Sequence, residues 1–228
     1  MTDPSELDHP VLHALSGPHR GLGLHRGHAA RYRPTVARFA ALPTRPGPGD
    51  WDDLAALTGD DELVLFGLPH DVPAGWAEHA RFDVAQMVAP DGFGRRHAGI
   101  ERLTAADAPA MVALVEETQP GPFLEETHLI GAYYGVKEDG VLVAMAGERL
   151  ATPSWVEISA VCTRASHRGR GLATRLVEEV AAGIRGTGRR PFLHTGARND
   201  AAIALYERLG FARRDAGNVV QRIGVVPA

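Results

Sequence analysis

At 228 residues the chain has room for one large domain or two small ones. A net charge of −4 without a basic tail argues against an electrostatic nucleic-acid binder, and no stretch approaches the roughly 18 apolar residues of a membrane span. The single cysteine, Cys162, excludes an intramolecular disulfide, and the acidic opening MTDPSELDHP lacks the basic-then-apolar form of a signal peptide, so a cytoplasmic protein is expected.

Residues 1–24 are rich in His, Pro and Gly and show little periodicity. His9, His13, His19, His25 and His28 raise the question of a metal. Pro10 separates the first two, and no Cys or carboxylate cluster completes a ligand set, so no metal is expected. Ala29–Arg33 and Thr35–Ala41 read as extended segments broken at Pro34, and Pro43–Gly49 as a loop. Asp50 caps a short helix over Trp51–Leu57. Glu62–Leu68 and Arg81–Val88 read as strands. The stretch PDGFGRRHAG, Pro90–Gly99, is the expected joint between a first half, 1–98, and a second, 99–228.

Ile100–Leu103 reads as a strand. Thr104 starts a helix through Met111, Leu114 and Val115, which Gln119-Pro-Gly-Pro122 breaks; a second short helix is expected over Phe123–Ile130. Gly131–Lys137 and Val141–Leu150 form a hairpin around Glu138-Asp-Gly140. Trp155–Thr163 alternates Trp155, Glu157, Ser159, Val161 and Thr163 against Val156, Ile158, Ala160 and Cys162, a strand pattern. Beyond a loop, Leu172, Leu176, Val180 and Ile184 recur every four residues, with Ala173, Val177 and Ala181 beside them. Glu178 and Glu179 fall mostly outside this apolar helix face, and Gly186 and Gly188 stop the helix.

The loop between that strand and helix is Arg168-Gly169-Arg170-Gly171-Leu172-Ala173. First-turn amides of a helix have no partners within it and lie at its positive end, and glycines let a ligand approach the backbone. The segment therefore suits a phosphate or pyrophosphate. Neither GxxxxGK[ST] nor GxGxxG is met. The pattern present is Arg-x-x-Gly-x-Gly/Ala, at Arg168, Gly171 and Ala173. Taken alone, it is also what a glycine turn before an ordinary helix looks like. Pro191–Thr195 is a further strand. Asn199-Asp200 caps a helix over Ala201–Leu209 closed by Gly210, Phe211 opens a strand, and Gly217-Asn218 turns a last hairpin into Val219–Val226.

The loop resembles the acyl-CoA pyrophosphate loop of the GNAT N-acetyltransferase superfamily. The string N-x-x-A-x-x-L-Y-E-x-L-G-F from Asn199 to Phe211 resembles the end of a GNAT domain. The resemblance covers roughly residues 99–225, and the first half by pattern only. It implies an α/β (α+β) fold, a mixed central sheet flanked by helices, preceded by a degenerate GNAT-like N-terminal half. That half has no glycine loop and is given no cofactor; it reads as an acceptor-side wall or, slightly better, as a lid over the open sheet edge. Within the superfamily the chain looks most like the branch containing glycine N-acyltransferase, which also carries a glutamate eleven positions ahead of the loop's first arginine, as Glu157 stands to Arg168.

The resemblance implies an N-acyltransferase using acetyl-CoA or another acyl-CoA as co-substrate, with no metal. The expected acceptor is a small-molecule amine or amino acid; no nucleic acid or membrane is a partner, and a homodimer stays open. Protein N-termini or lysines, or acyl-CoA binding without catalysis, are the alternatives. The backbone of Val161, Cys162 and Thr163 is expected along the pantetheine arm. Arg168, Gly169, Arg170, Gly171, Leu172, Ala173 and Thr174 are expected around the pyrophosphate. Asn199 would bind a pantetheine amide, cap its helix, or both. Tyr206 is expected to touch the cofactor and protonate the leaving thiolate, or else to be a packing tyrosine. Glu157 is expected to take the amine's proton, or else to be a cross-strand ion-pair partner. Cys162 lacks an evident base and reads as a core residue rather than a nucleophile. His194 could face the acceptor or be structural. Glu116, Glu117, Glu125 and Glu126 would attract a cationic amine or merely solvate helix faces.

Overall fold

Five α-helices and twelve strands, joined by loops and short 3-10 turns, lie within residues 3–226, the part described by the computed structural model. The first half contains α1 (Pro10–Ser16), β1 (Gly23–Arg26), β2 (Ala29–Tyr32), β3 (Phe39–Ala41), α2 (Pro48–Thr58), β4 (Leu63–Gly67) and β5 (Trp76–Val88). The second contains β6 (Glu101–Leu103), α3 (Ala108–Thr118), β7 (Tyr133–Glu138), β8 (Val141–Ala151), β9 (Trp155–Thr163), α4 (Leu172–Gly186), β10 (Arg190–Gly196), α5 (Asp200–Arg208), β11 (Ala212–Arg214) and β12 (Val219–Val225). One mixed sheet runs β1-β2-β3-β4-β12-β5-β10-β9-β8-β7-β6, with β11 beside β5. The pairs β9–β10 and β3–β4 are parallel.

Strand pairings cross the 98/99 boundary. The 13-residue β5 pairs its first part with β12, from Val225↔Trp76 to Val219↔Asp83. Its second part lies between β10, at Phe192↔Val88 through Gly196↔Val84, and β11, at Ala212↔Val88. β12 fills the gap between β4 and β5. Each half thus gives a strand to the other's sheet. The expected closing hairpin of Val219–Val226 on the preceding strand is not made, because β5 occupies the place beside the three-residue β11. β12 instead buries Val219, Gln221 and Ile223 in the sheet of the first half.

The α4 face forms because its apolar residues repeat at helical spacing. Leu176, Val177, Val180, Ala181 and Ile184 are fully buried against the sheet, together with Met87 of β5. Each large aliphatic among them stabilises the fold by about 1.5–3 kcal/mol; Leu176→Ala would cost about 2–5 kcal/mol. Glu179 is buried too, contrary to its expected place outside this face. Arg96 binds it at 2.7 Å and the His97 N–H at 2.6 Å. The Pro90–Gly99 connection is therefore pinned to α4. Gly94, at φ +99°, lies so close that a Cβ would come within 2.6 Å of the Ala182 nitrogen.

On the opposite face α3 buries Met111, Leu114 and Val115 against Tyr133 and Met145. The short α1 was hidden in the His- and Pro-rich start. Pro10 sits in its first turn, where its missing N–H costs nothing, and Val11, Ala14 and Leu15 pack with Phe66, Leu150, Trp155 and Phe192 from both halves. Two expected elements are shorter than read. Thr35–Ala41 is a strand only over Phe39–Ala41. The helix over Phe123–Ile130 reduces to one turn at Thr127–Leu129, because the Thr127 hydroxyl binds the Leu124 N–H and donates to the Val36 carbonyl, fixing a loop against the first half.

Candidate active site

β9 and β10 run in register only from Trp155↔Arg190 to Ile158↔Leu193, and then part. At the same level β9 carries a bulge. Gly147 faces Ser159 but Met145 faces Cys162, so three steps of β9 match two of β8, and Ala160 takes φ +51°. The simple alternation expected across Glu157–Thr163 breaks there. Beyond the bulge, Cys162 and Thr163 pair with β8 alone, leaving their other edge open.

Two clefts meet at this splay. One, of about 630 Å³, is lined by Val161, Cys162, Thr163, Arg168, Gly169, Gly171, Leu172, Ala173, Thr174 and Asn199, ten of the residues expected at the cofactor. Gly169 and Gly171 have φ of +76° and +72°, and a Cβ on either would meet nothing within 4 Å. Gly171 immediately precedes α4, so the loop opens on the helix's free first-turn amides. The Thr163 hydroxyl is buried without a partner beside the same space. Open amides, an orphaned hydroxyl and the exposed strand edge fit a pyrophosphate carrying a pantetheine arm. Arg208, Thr118 and Gln119 also line this cleft and were not anticipated. Arg170 does not line it: its guanidinium pairs with Glu138 at 2.7 Å.

The second cleft, of about 670 Å³, shares Pro120, Val161 and Asn199 with the first. Ile158–Val161, His194–Gly196 and Tyr206 form one side. Arg38, Phe39, Phe66, Phe82 and Val84 of the first half form the other, so that half walls the site. Tyr206 lines this cleft and not the cofactor cleft where it was also expected, and burial pushes its phenol up to about 12. It therefore stays a proton donor. Asn199 caps α5, accepting from the Ala202 N–H at 3.2 Å.

Glu157 lines neither cleft. Its carboxylate is fully buried, accepts from Arg149 at 2.6 and 2.5 Å, and accepts from His194 Nδ1 at 2.7 Å. Burial alone would raise it, but the Arg149 charge and the hydrogen bonds of Arg149 and His194 outweigh that and hold it at about 2. Direct proton abstraction by Glu157 does not fit this geometry; the ion-pair reading does. His194 is where Glu157 was expected, at the acceptor cleft. Burial lowers its pKa against the opposing pull of Glu157, so it is neutral. With Nδ1 donating to Glu157, Nε2 carries the lone pair and accepts from Gln86 at 2.9 Å. Sequence reading missed Arg149. The available signal was the one cation of the largely apolar VLVAMAGERLA strand, on the neighbour of the strand bearing Glu157.

Cys162 is a core residue, its thiol pushed up to about 11 by burial, partly offset by a hydrogen bond from Thr118. Glu116, Glu117, Glu125 and Glu126 stand outside the acceptor cleft; Glu117 pairs with Arg164 at 3.0 Å and Glu126 accepts from the Thr35 hydroxyl. Among the described residues no three His, Cys, Asp or Glu side chains are grouped to hold a metal, and no helix is long and apolar enough to cross a membrane. His19 instead bonds Tyr32 and His28 bonds Asp50.

Residues 133–220 match the family described as FR47-like protein. The chain is 37% identical over 84 residues to the N-alpha-acetyltransferase RimI of Mycobacterium tuberculosis, spanning 36% of this chain and 52% of that one. It is 34% identical over 119 residues to the tRNA 5-methylaminomethyl-2-thiouridine biosynthesis bifunctional protein MnmC of Delftia acidovorans, spanning 47% of this chain but 18% of that one. A crystal structure from Novosphingobium aromaticivorans, assigned as an acetyltransferase of the GNAT family, superposes with a TM-score of 0.87 at 39% identity, covering 97% of this chain and 99% of its own. With that likeness end to end, and with a loop, bulge and strand splay that suit an acyl-CoA, the chain belongs to the GNAT family of acetyltransferases.

Proposed function

We propose that this chain is an acyl-CoA-dependent N-acyltransferase, most simply an acetyltransferase, acting on the amine of a small molecule or amino acid by direct attack in a ternary complex. The observation that carries this is the meeting of two clefts at Val161 and Asn199, one fitted to the cofactor and one walled by the first half. In this reading the loop at Gly169–Thr174 holds the pyrophosphate, and the free edge of residues 161–163 pairs with the pantetheine arm. The amine nitrogen bonds to the thioester carbonyl carbon as the carbon–sulfur bond breaks. Tyr206 gives its proton to the departing thiolate. On the His194 side of the cleft the amine gives up a proton. Glu157 enters as a positioning residue that fixes the His194 tautomer. The narrower kinship with glycine N-acyltransferase stays part of this reading, supported by the lack of a glycine phosphate loop in residues 1–98 and by the Glu157–Arg168 spacing.

A thiol-release assay with acetyl-CoA, run against small amines, amino acids and peptides with free N-termini, tests it. Turnover of small acceptors is expected. Turnover of peptides alone would move the assignment toward the N-alpha-acetylation named for the RimI relative. Cofactor binding without release on any acceptor would leave a binding protein.

A further inference from the structure

The acceptor cleft holds more positive charge than its own pairs neutralise. Arg38, Arg149 and Arg222 line it. Arg222 is matched by Glu62 in a two-point pair at 2.8 and 3.0 Å, and Arg149 by Glu157 behind the wall. Arg38 is exposed and makes no salt bridge or side-chain hydrogen bond among the described residues, so one positive charge is left over. His194 is neutral and adds none.

Arg149 has a second feature. Its Nε and Nη2 are taken by Glu157, while Nη1 has no hydrogen-bond partner among the described residues. The guanidinium sits 5.2 Å from the ring centres of both Phe39 and Phe66, which hold it in place, and its side chain is 21% exposed at the cleft. A planar guanidinium with a free edge, in one cleft with an unpaired arginine, offers what a carboxylate receptor needs. The surplus of one charge matches a monoanion. Around it the wall is apolar, from Phe39, Phe66, Phe82 and Val84.

We propose that the amine acceptor carries a carboxylate, held by Arg38 and the open edge of Arg149, and an apolar or aromatic side chain that lies on the phenylalanines: an apolar α-amino acid rather than a simple amine or a polyamine. This rests on the transferase reading and names its substrate class. The α-amine, two bonds from the carboxylate carbon, then points toward Ser159–Val161, where the two clefts join.

The test compares matched pairs that differ only in the carboxylate: phenylalanine with phenethylamine, and leucine with 3-methylbutylamine. Initial rates are read at equal concentrations of neutral amine. In the native enzyme kcat/KM should favour each acid by at least about tenfold, as loss of one charge-assisted contact implies. In Arg38→Gln that preference should fall about 10- to 100-fold, mainly through KM. Arg38 is the better position than Arg149, since it is exposed and its loss strands no buried charge. Calorimetry of the CoA-loaded protein with phenylalanine and phenethylamine gives the same comparison without turnover. Equal use of both members of each pair, or a preference unchanged in Arg38→Gln, overturns the carboxylate site while leaving the transferase assignment standing. Thiol release with no amine of any kind, and no amino-acid binding by calorimetry, overturns both.

Discussion

His194 and Glu157 meet Nδ1 to Oε1 at 2.7 Å, with side-chain exposures of only 2% and 0%. Arg149 closes the other side of the same carboxylate. Glu157→Gln keeps the shape but leaves the Arg149 guanidinium without its counter-charge. Breaking such a pair costs about 3–5 kcal/mol, and in a chain of this size each kcal/mol lowers Tm by about 2–4 °C. A clear drop in Tm is expected alongside reduced turnover. A variant that melts like the parent but is slowed about 10²–10⁴-fold would instead return Glu157 to the role of direct base.

The same pair gives stability an acid limb, and the buried histidines widen it. Glu157 is held at about 2 when folded against a reference of 4.5, so its contribution is present above 4.5 and is lost as pH falls toward 2. Burial, with smaller repulsions from Arg189 and His9 respectively, lowers His19 and His70 to about 4 from 6.5. Between those values the unfolded chain binds the extra proton, so stability falls as pH drops from 6.5 to 4. Urea melts across that window should show ΔG rising with pH. His70→Phe keeps a ring beside His9 and Trp51 and removes one titrating group. Its slope should be smaller by up to about 1.4 kcal/mol per pH unit; an unchanged slope would mean His70 is already charged in the fold.

Gly171 ends the phosphate loop at φ +72°, facing open space. Gly171→Val places a β-branched side chain where both the backbone conformation and an approaching phosphate exclude it. At a hundredfold excess over Kd, acetyl-CoA should stabilise the parent by about 2.7 kcal/mol. The variant should lose most of that shift in a thermal melt. A full shift would move the cofactor away from this loop.

Tyr206 carries a phenol raised to about 12 by burial. A donor of that kind stays protonated well above neutral pH, so the high-pH side of the rate profile should not report its loss of a proton until strongly alkaline conditions. Tyr206→Phe should lower kcat by about 10²–10⁴. The deficit should shrink with an acyl donor whose thiol is more acidic than CoA. A deficit independent of the leaving thiol would mark Tyr206 as a packing residue.

Much of this was readable from the chain because local rules and global fold agree there. The α4 stripe, the Arg168–Ala173 loop and the Gly210 cap, at φ +86°, each follow from a few adjacent residues. What was not readable depends on partners far away in sequence. No spacing announces that Ala160 will take a positive φ, since the bulge is set by the register of β8 against β9. The burial of Glu157 could not be read because the positions of its two partners, Arg149 on β8 and His194 on β10, are tertiary facts. The Gly217-Asn218 turn was read as a hairpin because a turn shows only that the chain reverses, not which strand waits beside it.

Residues 99–228 expressed alone should not give a cooperative melt. They lack β5, so β10 and β11 lose a shared neighbour and Met87 leaves a hole beneath α4. Co-expression with residues 1–98 should restore both the transition and the acetyl-CoA shift. A fragment 99–228 that melts cooperatively and responds to acetyl-CoA would show that the exchanged strands are dispensable.

The exchange of β5 and β12 also sets a schedule for biosynthesis. β4 and β5 emerge from the ribosome early, but the strand that belongs between them, β12, is made only after all of β6 to β11. At typical translation speeds the interval is on the order of ten seconds. Throughout it the nascent chain displays two unpaired strand edges that another chain could cap wrongly. Folding from the N-terminus onward, the usual course for a two-part protein, is closed to this one: its first half is the part that must be finished last.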